Sequence, residues 1–501
     1  MQASPSVAAR AALALVLMVG FYALALLISA VLLYLPYAEV VYAHRLHPKL
    51  AFLALVGAGT ILWSILPRPD RFDPPGPALV AGRQPRLFAQ IEAVASATRQ
   101  AMPAEVYLVG DVNAFVAQRG GVMGFFSRRV MGLGLPLLQA LSVSELRAVL
   151  AHEFGHYHGG DTRLGPWVYK TRAAIGRTIQ GLGDSALQKP FVWYGNLFLK
   201  ISHAVSRRQE LSADALASRV VGSRPLVEGL KKTAAAAAAY GAYWSQEVTP
   251  VLQAGYLPPI ADGFHRFTAN PRVAGVMSGA LAQRLGDAQA DPYDTHPPLG
   301  ERIREVSALP PGPDPSAEPS AISLLDDLAG IERSWLASIA DSTDVARLRP
   351  IDWDAVAASV LLPSWREAVQ QNGASLRGAT VGGLAEHLAP VRAKWEQLPE
   401  GESLDNRASS TVWLAGAALV VALERAGWAV ESPVGSPVFV RRGDTLLFPF
   451  DIVRSLVTGE RAPGDWHDEA ARIGVDGLPL GPAETAGSDT TASTSRASTT
   501  P

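Results

Sequence analysis

The chain of 501 residues contains no cysteine. Disulfides, thiolate metal ligands and cysteine nucleophiles are therefore excluded together. Any metal must be held by histidine, aspartate or glutamate. Histidine is scarce, ten in all, so a closely spaced pair of them stands out. Charge of one sign is also lacking. The formal net charge is −2, which leaves no basic excess for a polyanion, and no nucleic-acid partner is expected.

Long apolar runs are few and lie at the N-terminus. Residues 11–35 form a run of 25 without a charge. As a helix that run is about 37 Å long, enough to cross a hydrocarbon core of about 30 Å with some tilt. Residues 50–66 form a second run of 17, about 25 Å and at the short limit. Trp63 and Arg68 suit its interfacial end. A cleavable signal would have a shorter apolar region and a small-residue cleavage site, which is not evident. The expectation is a membrane hairpin over residues 1–67 in contact with the lipid bilayer. Arg10, Arg68, Arg71, Arg83 and Arg86 lie on the side shared by the N-terminus and the remaining chain. Arg45 and Lys49 lie in the short loop. The positive-inside rule then puts the soluble bulk in the cytoplasm, on an inner or plasma membrane.

What is present is more telling. Ala151-His152-Glu153-Phe154-Gly155-His156 carries the H-E-x-x-H pattern. On a helix, positions i and i+4 share a face one turn apart, so both imidazoles can meet one ion. Glu153 is then placed to take a proton from a water activated there. The surrounding residues read as a helix. Ser142 and Glu145 have capping-box spacing. Leu146, Val149 and Leu150 recur at helical intervals, and Gly159-Gly160 suits a helix end.

Two histidines do not complete a catalytic site, which needs a third protein ligand and an open position. Glu210 is the best candidate, in a helical stretch where Asp214 follows on the same face. One carboxylate can bind the ion while the other orients a ligating histidine. Arg207, one turn before Glu210, is placed to steady a carboxylate. His158 points to another side of its helix, and His203 reads as structural. The stretch 191–200 is too short and too interrupted for a span. Its Trp, Tyr and Lys suit a membrane interface and ordinary packing equally.

Before the motif, residues 72–77 read as a linker, and Pro85 starts a helix faced by Leu87, Phe88, Ile91 and Val94. Strands are expected at 106–109, 113–116 and 130–133, with a turn at Gly120-Gly121. An edge strand in this small sheet can bind an extended peptide. Asn113 reads as a turn amide or as a substrate contact. After the motif, residues 234–239 favour helix. His296 precedes two prolines, whose rigid backbone would let it donate to a developing oxyanion, though a plain loop histidine is the alternative.

These motifs together resemble the HtpX-type membrane metallopeptidases of peptidase family M forty-eight, which also contains the CAAX prenyl proteases. The resemblance rests on His152-Glu153-Phe154-Gly155-His156, on Arg207 with Glu210 and Asp214, and on Thr295-His296-Pro297-Pro298 with Arg302-Ile303. Asn113-Ala114-Phe115 and the lead-in 141–146 agree with it, and it covers about residues 80–308. It implies a gluzincin fold with one Zn²⁺ per chain on His152, His156 and Glu210. Glu153 would be the general base and then the proton donor. Asp214, with Arg207, would support the ligands, and His296 would stabilise the tetrahedral intermediate. Asn113, Ala114 and Phe115 would lie along the substrate strand. HtpX proteins usually carry further spans between the motif helix and the third ligand, and none is expected here.

The C-terminal third is not a tail. Residues 310–320 read as a linker, but seven of the eleven tryptophans lie at or after Trp335, which argues for a packed core. Residues 413–423 are apolar yet too short to span. Residues 438–441 and 445–448 flank a plausible hairpin turn. From Ala483 the composition suits disorder.

The overall expectation is an α+β protein. It comprises a membrane hairpin (1–67), a mainly helical zinc metallopeptidase domain with a small sheet (68–309), a linker, an α+β domain without recognisable chemistry (321–482) and a tail. The activity expected is endoproteolysis of membrane or misfolded proteins. The competing reading is a membrane-tethered binding or regulatory protein with a vestigial zinc site.

Overall fold

The computed structural model describes residues 7–66, 72–119, 127–157, 165–287, 297–399 and 403–482. By internal contacts the chain divides into two units, 1–245 with 260–348, and 246–259 with 349–501. The stretch 310–320, expected as a linker, lies within the first of them. Pro310 and Pro311 accept hydrogen bonds from the backbone of Ser223 and Arg224, and Ala321 N donates to Leu141 O. A proline-rich segment, whose only regular structure is a 3₁₀ turn at Pro315–Ala317, is held here by backbone bonds that composition does not reveal.

Helices α1 (Val7–Ala43) and α2 (Pro48–Ile65) form an antiparallel pair and are long and apolar enough to cross a membrane. α1 continues past the expected end at residue 35 and carries Pro36 inside it. At 37 residues it is about 55 Å long, more than a hydrocarbon core requires.

The first unit's sheet runs in the order β1-β2-β4-β3. Its strands are β1 (Ala78–Leu79), β2 (Glu105–Val109), β3 (Ala114–Arg119) and β4 (Arg128–Gly134). β2 and β4 are parallel, and β3 pairs antiparallel with β4. β3 therefore lies at the edge. The expected turn at Gly120-Gly121 lies outside the described residues. Helix α3 (Pro85–Ala97) starts with proline in its first turn and buries Leu87, Ile91 and Val94. A short α4 (Leu135–Ala140) leads into α5 (Val143–Gly155), the helix of the motif. The capping box is formed. Ser142 Oγ accepts from Glu145 N, and Glu145 Oε2 accepts from Ser142 N at 2.7 Å. A second carboxylate, Glu318, accepts from Ser144 N at 2.6 Å. Both anions sit where the helix dipole and its orphan N–H groups favour negative charge. α5 ends at Gly155, and Gly159-Gly160 lies outside the described residues.

Two long helices follow, α6 (Gly165–Leu182) and α7 (Gln188–Val221). α6 and the first half of α7 pack on the α1–α2 pair. Phe191 and Phe198 of α7 are buried in one cluster with Phe21, Ala58, Ile61 and Ala174. Tyr194 reaches across to Leu17, its hydroxyl donating to the carbonyl at 2.5 Å. The 191–200 stretch thus has a packed face, while Trp193 points outward at 67% exposure. α8 (Ser223–Tyr243) then packs against α5 and α7. The next short helix, α9 (Thr249–Gln253), belongs to the second unit. α10 (Ile260–Ala269), α11 (Pro271–Gly286), α12 (Leu299–Ser307), α13 (Leu328–Ile339) and α14 (Ser342–Arg347) complete the first unit. Buried Glu332 of α13 accepts from Ile260 N and Ala261 N at the start of α10.

The second unit is α+β, with the packed core that its tryptophans imply. Its helices are α15 (Leu362–Gln371), α16 (Leu384–Trp395), α17 (Asn406–Arg425), α18 (Pro449–Thr458) and α19 (Pro463–Arg472). They surround a core fed by 415–423 of α17. The apolar stretch expected at 413–423 is thus a buried helix, although Trp413 itself is 45% exposed. Two-residue strands β5 (Tyr256–Leu257) and β6 (Arg349–Pro350) pair in parallel. β7 (Ala429–Glu431), β8 (Phe439–Arg442) and β9 (Thr445–Leu447) form an antiparallel sheet. The β8–β9 turn places Gly443 at φ +61°, where only glycine is free of side-chain strain. Trp466 is fully buried, and its indole donates to Val381 O at 2.7 Å. Trp466→Ala is expected to destabilise this unit by about 3–5 kcal/mol, read as a lower midpoint in denaturant followed by tryptophan fluorescence.

Candidate metal centre and cleft

The two histidines leave α5 in the same direction, their rings 4.8 Å apart. Helix α7 crosses beside them at very short range. A Cβ on Gly155 would lie 2.8 Å from the Ala213 Cα. Glycine at the fourth position of the motif is what lets the two backbones meet. That approach brings Glu210 to the imidazoles. His152 Nε2 is 3.4 Å from Glu210 Oε2, and His156 Nε2 is 3.5 Å from Glu210 Oε1. Ligand atoms from all three lie within 4.8 Å of one another. Tetrahedral bonds of about 2.0–2.2 Å would set neighbouring ligand atoms about 3.3–3.6 Å apart, which the two His–Glu separations match, so the three residues could hold one metal ion. His152 and Glu210 are buried and His156 is partly open, which leaves access from one side.

The supporting shell is built from α7 and α12. Asp214 Oδ1 is 2.8 Å from His152 Nδ1, so the Nε2 atom faces Glu210. Arg302 of α12 grips the same carboxylate through two bonds, Nε to Oδ2 at 2.8 Å and Nη2 to Oδ1 at 2.7 Å. The sequence assigned this bracing to Arg207, but Arg207 is exposed on α7. One turn of helical spacing was a local argument. Arg302 is 88 residues beyond Asp214, and only the packing of α12 brings it in. Its presence in the Arg302-Ile303 pair was the available signal.

The electrostatics follow from burial. Burial alone would raise the Asp214 pKa, but the hydrogen bonds from Arg302 and His152 outweigh it and hold the carboxyl down to about 2. Burial alone would lower the His152 pKa. The neighbouring Asp214 and Glu210 outweigh that, despite repulsion from Arg302, and raise it to about 9. A buried pocket that raises an imidazole's proton affinity is one that favours a cation.

The cleft beside this cluster has a volume of about 510 Å³ and is lined by Asn113, Ala114, His152, Glu153, Pro297 and Arg302, among others. Edge strand β3 and the motif's glutamate thus border the same space. Phe115 lies over Gly132 on the neighbouring strand. A side chain at Gly134 would collide with Asp111 O, 1.9 Å away. The tight curl before Asn113 depends on that glycine. Tyr157, directly after the motif, donates its hydroxyl to Val116 O at 2.9 Å and so ties β3 to the end of α5. Burial pushes its phenol up to about 12. Its role was not legible in the sequence. His158 and His296 lie outside the described residues, and for His203 the structure describes only its place in α7.

This arrangement defines a class, the metallopeptidases whose helical His-Glu-x-x-His motif is completed by a glutamate from a later helix. Residues 81–309 match the model for Peptidase family M48, and over this region the chain is similar to the HtpX metallopeptidases. A Protease HtpX homolog of Desulfatibacillum aliphaticivorans is 25% identical over 277 residues, covering 49% of this chain and 79% of the relative. That of Tropheryma whipplei (strain TW08/27) is 27% identical over 251 residues, 45% of this chain and 72% of the relative. That of Chlorobium phaeobacteroides (strain BS1) is 26% identical over 298 residues, 53% and 85%. No solved structure matches.

Two outcomes test the shell. Asp214→Ala is expected to weaken metal binding about 10- to 100-fold, measured by competition with a chromogenic chelator. The raised His152 pKa gives a second. Relative to an ordinary imidazole near 6.5, the protonated ring stabilises the metal-free fold fully below about pH 6.5, and this contribution is lost as pH rises through about 9. Metal uptake at pH 7.5 must therefore displace about one proton from this ring. Calorimetric titration in buffers of different ionisation enthalpy reads that number.

Proposed function

We propose that this protein is a membrane-anchored zinc endopeptidase that cleaves membrane or misfolded proteins. The observation that carries the reading is Glu153, which lines the cleft beside a largely buried His-His-Glu donor cluster. His152, His156 and Glu210 would hold the zinc. When bound, it would supply a Lewis acid that lowers the pKa of water and polarises a carbonyl. Glu153 takes the proton from the attacking water and passes it to the leaving amine. Asp214 and Arg302 keep the His152 ring turned so that Nε2 faces the cluster. A substrate chain pairs with the free edge of β3 along Asn113, Ala114 and Phe115, which brings a peptide bond past Glu153. His296 donates a hydrogen bond to the developing oxyanion. Pro297 and Pro298, which follow it directly, line the cleft and support that role.

The α1–α2 pair anchors the domain in an inner or plasma membrane, with the catalytic side in the cytoplasm by the distribution of arginine. A second reading, a tethered binding protein with a vestigial site, is favoured by the second unit, whose larger part, residues 349–501, lies outside the matched region. It gives no reason for a glutamate at position 153. Glu153→Gln is expected to reduce casein cleavage by a factor of about 10² to 10⁴ while zinc stoichiometry stays at one. A chelator should abolish cleavage in the unaltered protein. Cleavage that survives both treatments would overturn the mechanism.

A further inference from the structure

Only some backbone groups of edge strand β3 face the space where another strand would pair. In an antiparallel pair, residues alternate between turning both backbone groups to the partner strand and turning both away. Gly134 N donates to Asn113 O, and the register sets Ala114 opposite Leu133 and Phe115 opposite Gly132. Asn113 and Phe115 therefore turn their groups to β4, whereas Ala114 and Val116 turn theirs outward. Ala114 borders the cleft together with Glu153. Two residues on, about 7 Å along the strand, the outward carbonyl of Val116 is already taken. The Tyr157 hydroxyl donates to it at 2.9 Å. The ring that delivers this hydroxyl is itself held, with the Arg129 guanidinium of β4 4.3 Å from its centre, a cation–π contact. Tyr157 follows His156 just past the end of α5, so one side chain bridges the gap between strand and motif helix. Pairing along β3 is open at Ala114 and blocked at Val116.

We propose that Tyr157 is the end stop of the substrate groove, a positioning residue that halts strand pairing at Val116 and so fixes which peptide bond comes to rest beside Glu153. The inference rests on the peptidase reading above and gives that site its register. Backbone pairing alone specifies register weakly, because a slip of two residues restores the same hydrogen bonds and the same facing of side chains. A capped carbonyl and a clamped ring remove the next position. A chain that slides past Val116 loses a hydrogen bond and meets the phenol. On one side of the cut bond the groove therefore holds only about two residues before the polypeptide must turn away from the strand.

The test uses full-length, zinc-loaded protein in detergent and one cleavable peptide lengthened with alanine, before the cut bond in one series and after it in another. In the unaltered enzyme, kcat/KM is expected to keep rising with length in one series and to stop rising after about two residues in the other. A rise that continues equally in both series would overturn the stop. Tyr157→Phe keeps the ring over Arg129 and removes only the bond to Val116. It is expected to raise KM about three- to tenfold, with kcat within about twofold and zinc content unchanged. Cleavage of the longer peptides should then spread over bonds in steps of about two residues, read by mass spectrometry. Tyr157→Ala removes the ring as well, and the stopped series should gain from further residues. Because the length series needs no substitution, it decides the question even where a variant fails to bind zinc. Cleavage by Tyr157→Phe at the same single bond with unchanged KM would overturn the stop and leave the peptidase reading standing. No cleavage of any peptide by the unaltered protein would overturn the peptidase reading itself.

Discussion

Asp214 is buried, and a buried carboxylate without partners is among the most costly groups a protein can hold, by several kcal/mol even after relaxation. Here its two oxygens are shared between the Arg302 guanidinium and the His152 imidazole. The contact joins three helices that are remote in sequence. α5 brings the histidine, α7 the carboxylate and α12 the arginine. The ring is thereby fixed with Nε2 toward Glu210, and the donor cluster exists only because that orientation is held. Without the charge of Arg302, burial would push the Asp214 carboxylate toward the neutral form, and it would lose its grip on the ring.

Helix α7 serves two parts of the molecule. Its first half is embedded through Phe191, Tyr194 and Phe198 in the cluster with the apolar N-terminal helices. Its second half carries Glu210 and Asp214. The third donor therefore stands on the same continuous rod as the face that packs on the apolar N-terminal hairpin. The close crossing at Gly155 and Ala213 sets how near that rod comes to the motif helix. Small residues at one contact thus decide whether the glutamate reaches the histidines.

The catalytic helix is also held from beyond the region matched by family. Glu318 adds a carboxylate to its N-terminus, and the segment 310–321 is bonded to the backbone around Leu141 and Ser223. The structural unit is longer than the family match for this reason. Composition marked that segment as a linker because proline and glycine usually signal one. Its order comes from partners, not from its own propensity.

What could be read from residues alone was whatever depends on short-range geometry. The pairing of His152 with His156, the place of Glu153 and the Ser142–Glu145 cap follow from helical periodicity, a property of a few consecutive residues. The apolar length of the N-terminal runs, the strands around 106–133 and the buried stretch of α17 are local in the same way. Spacing alone could nominate Glu210 but could not bring it to the histidines. That needed the packing of α7 on α5. Arg302 in place of Arg207, the Tyr157 tie to Val116 and the ordered 310–321 strap were decided by tertiary structure. Each joins segments far apart in the chain, and a pattern of neighbours carries no information about which distant surface a side chain will meet.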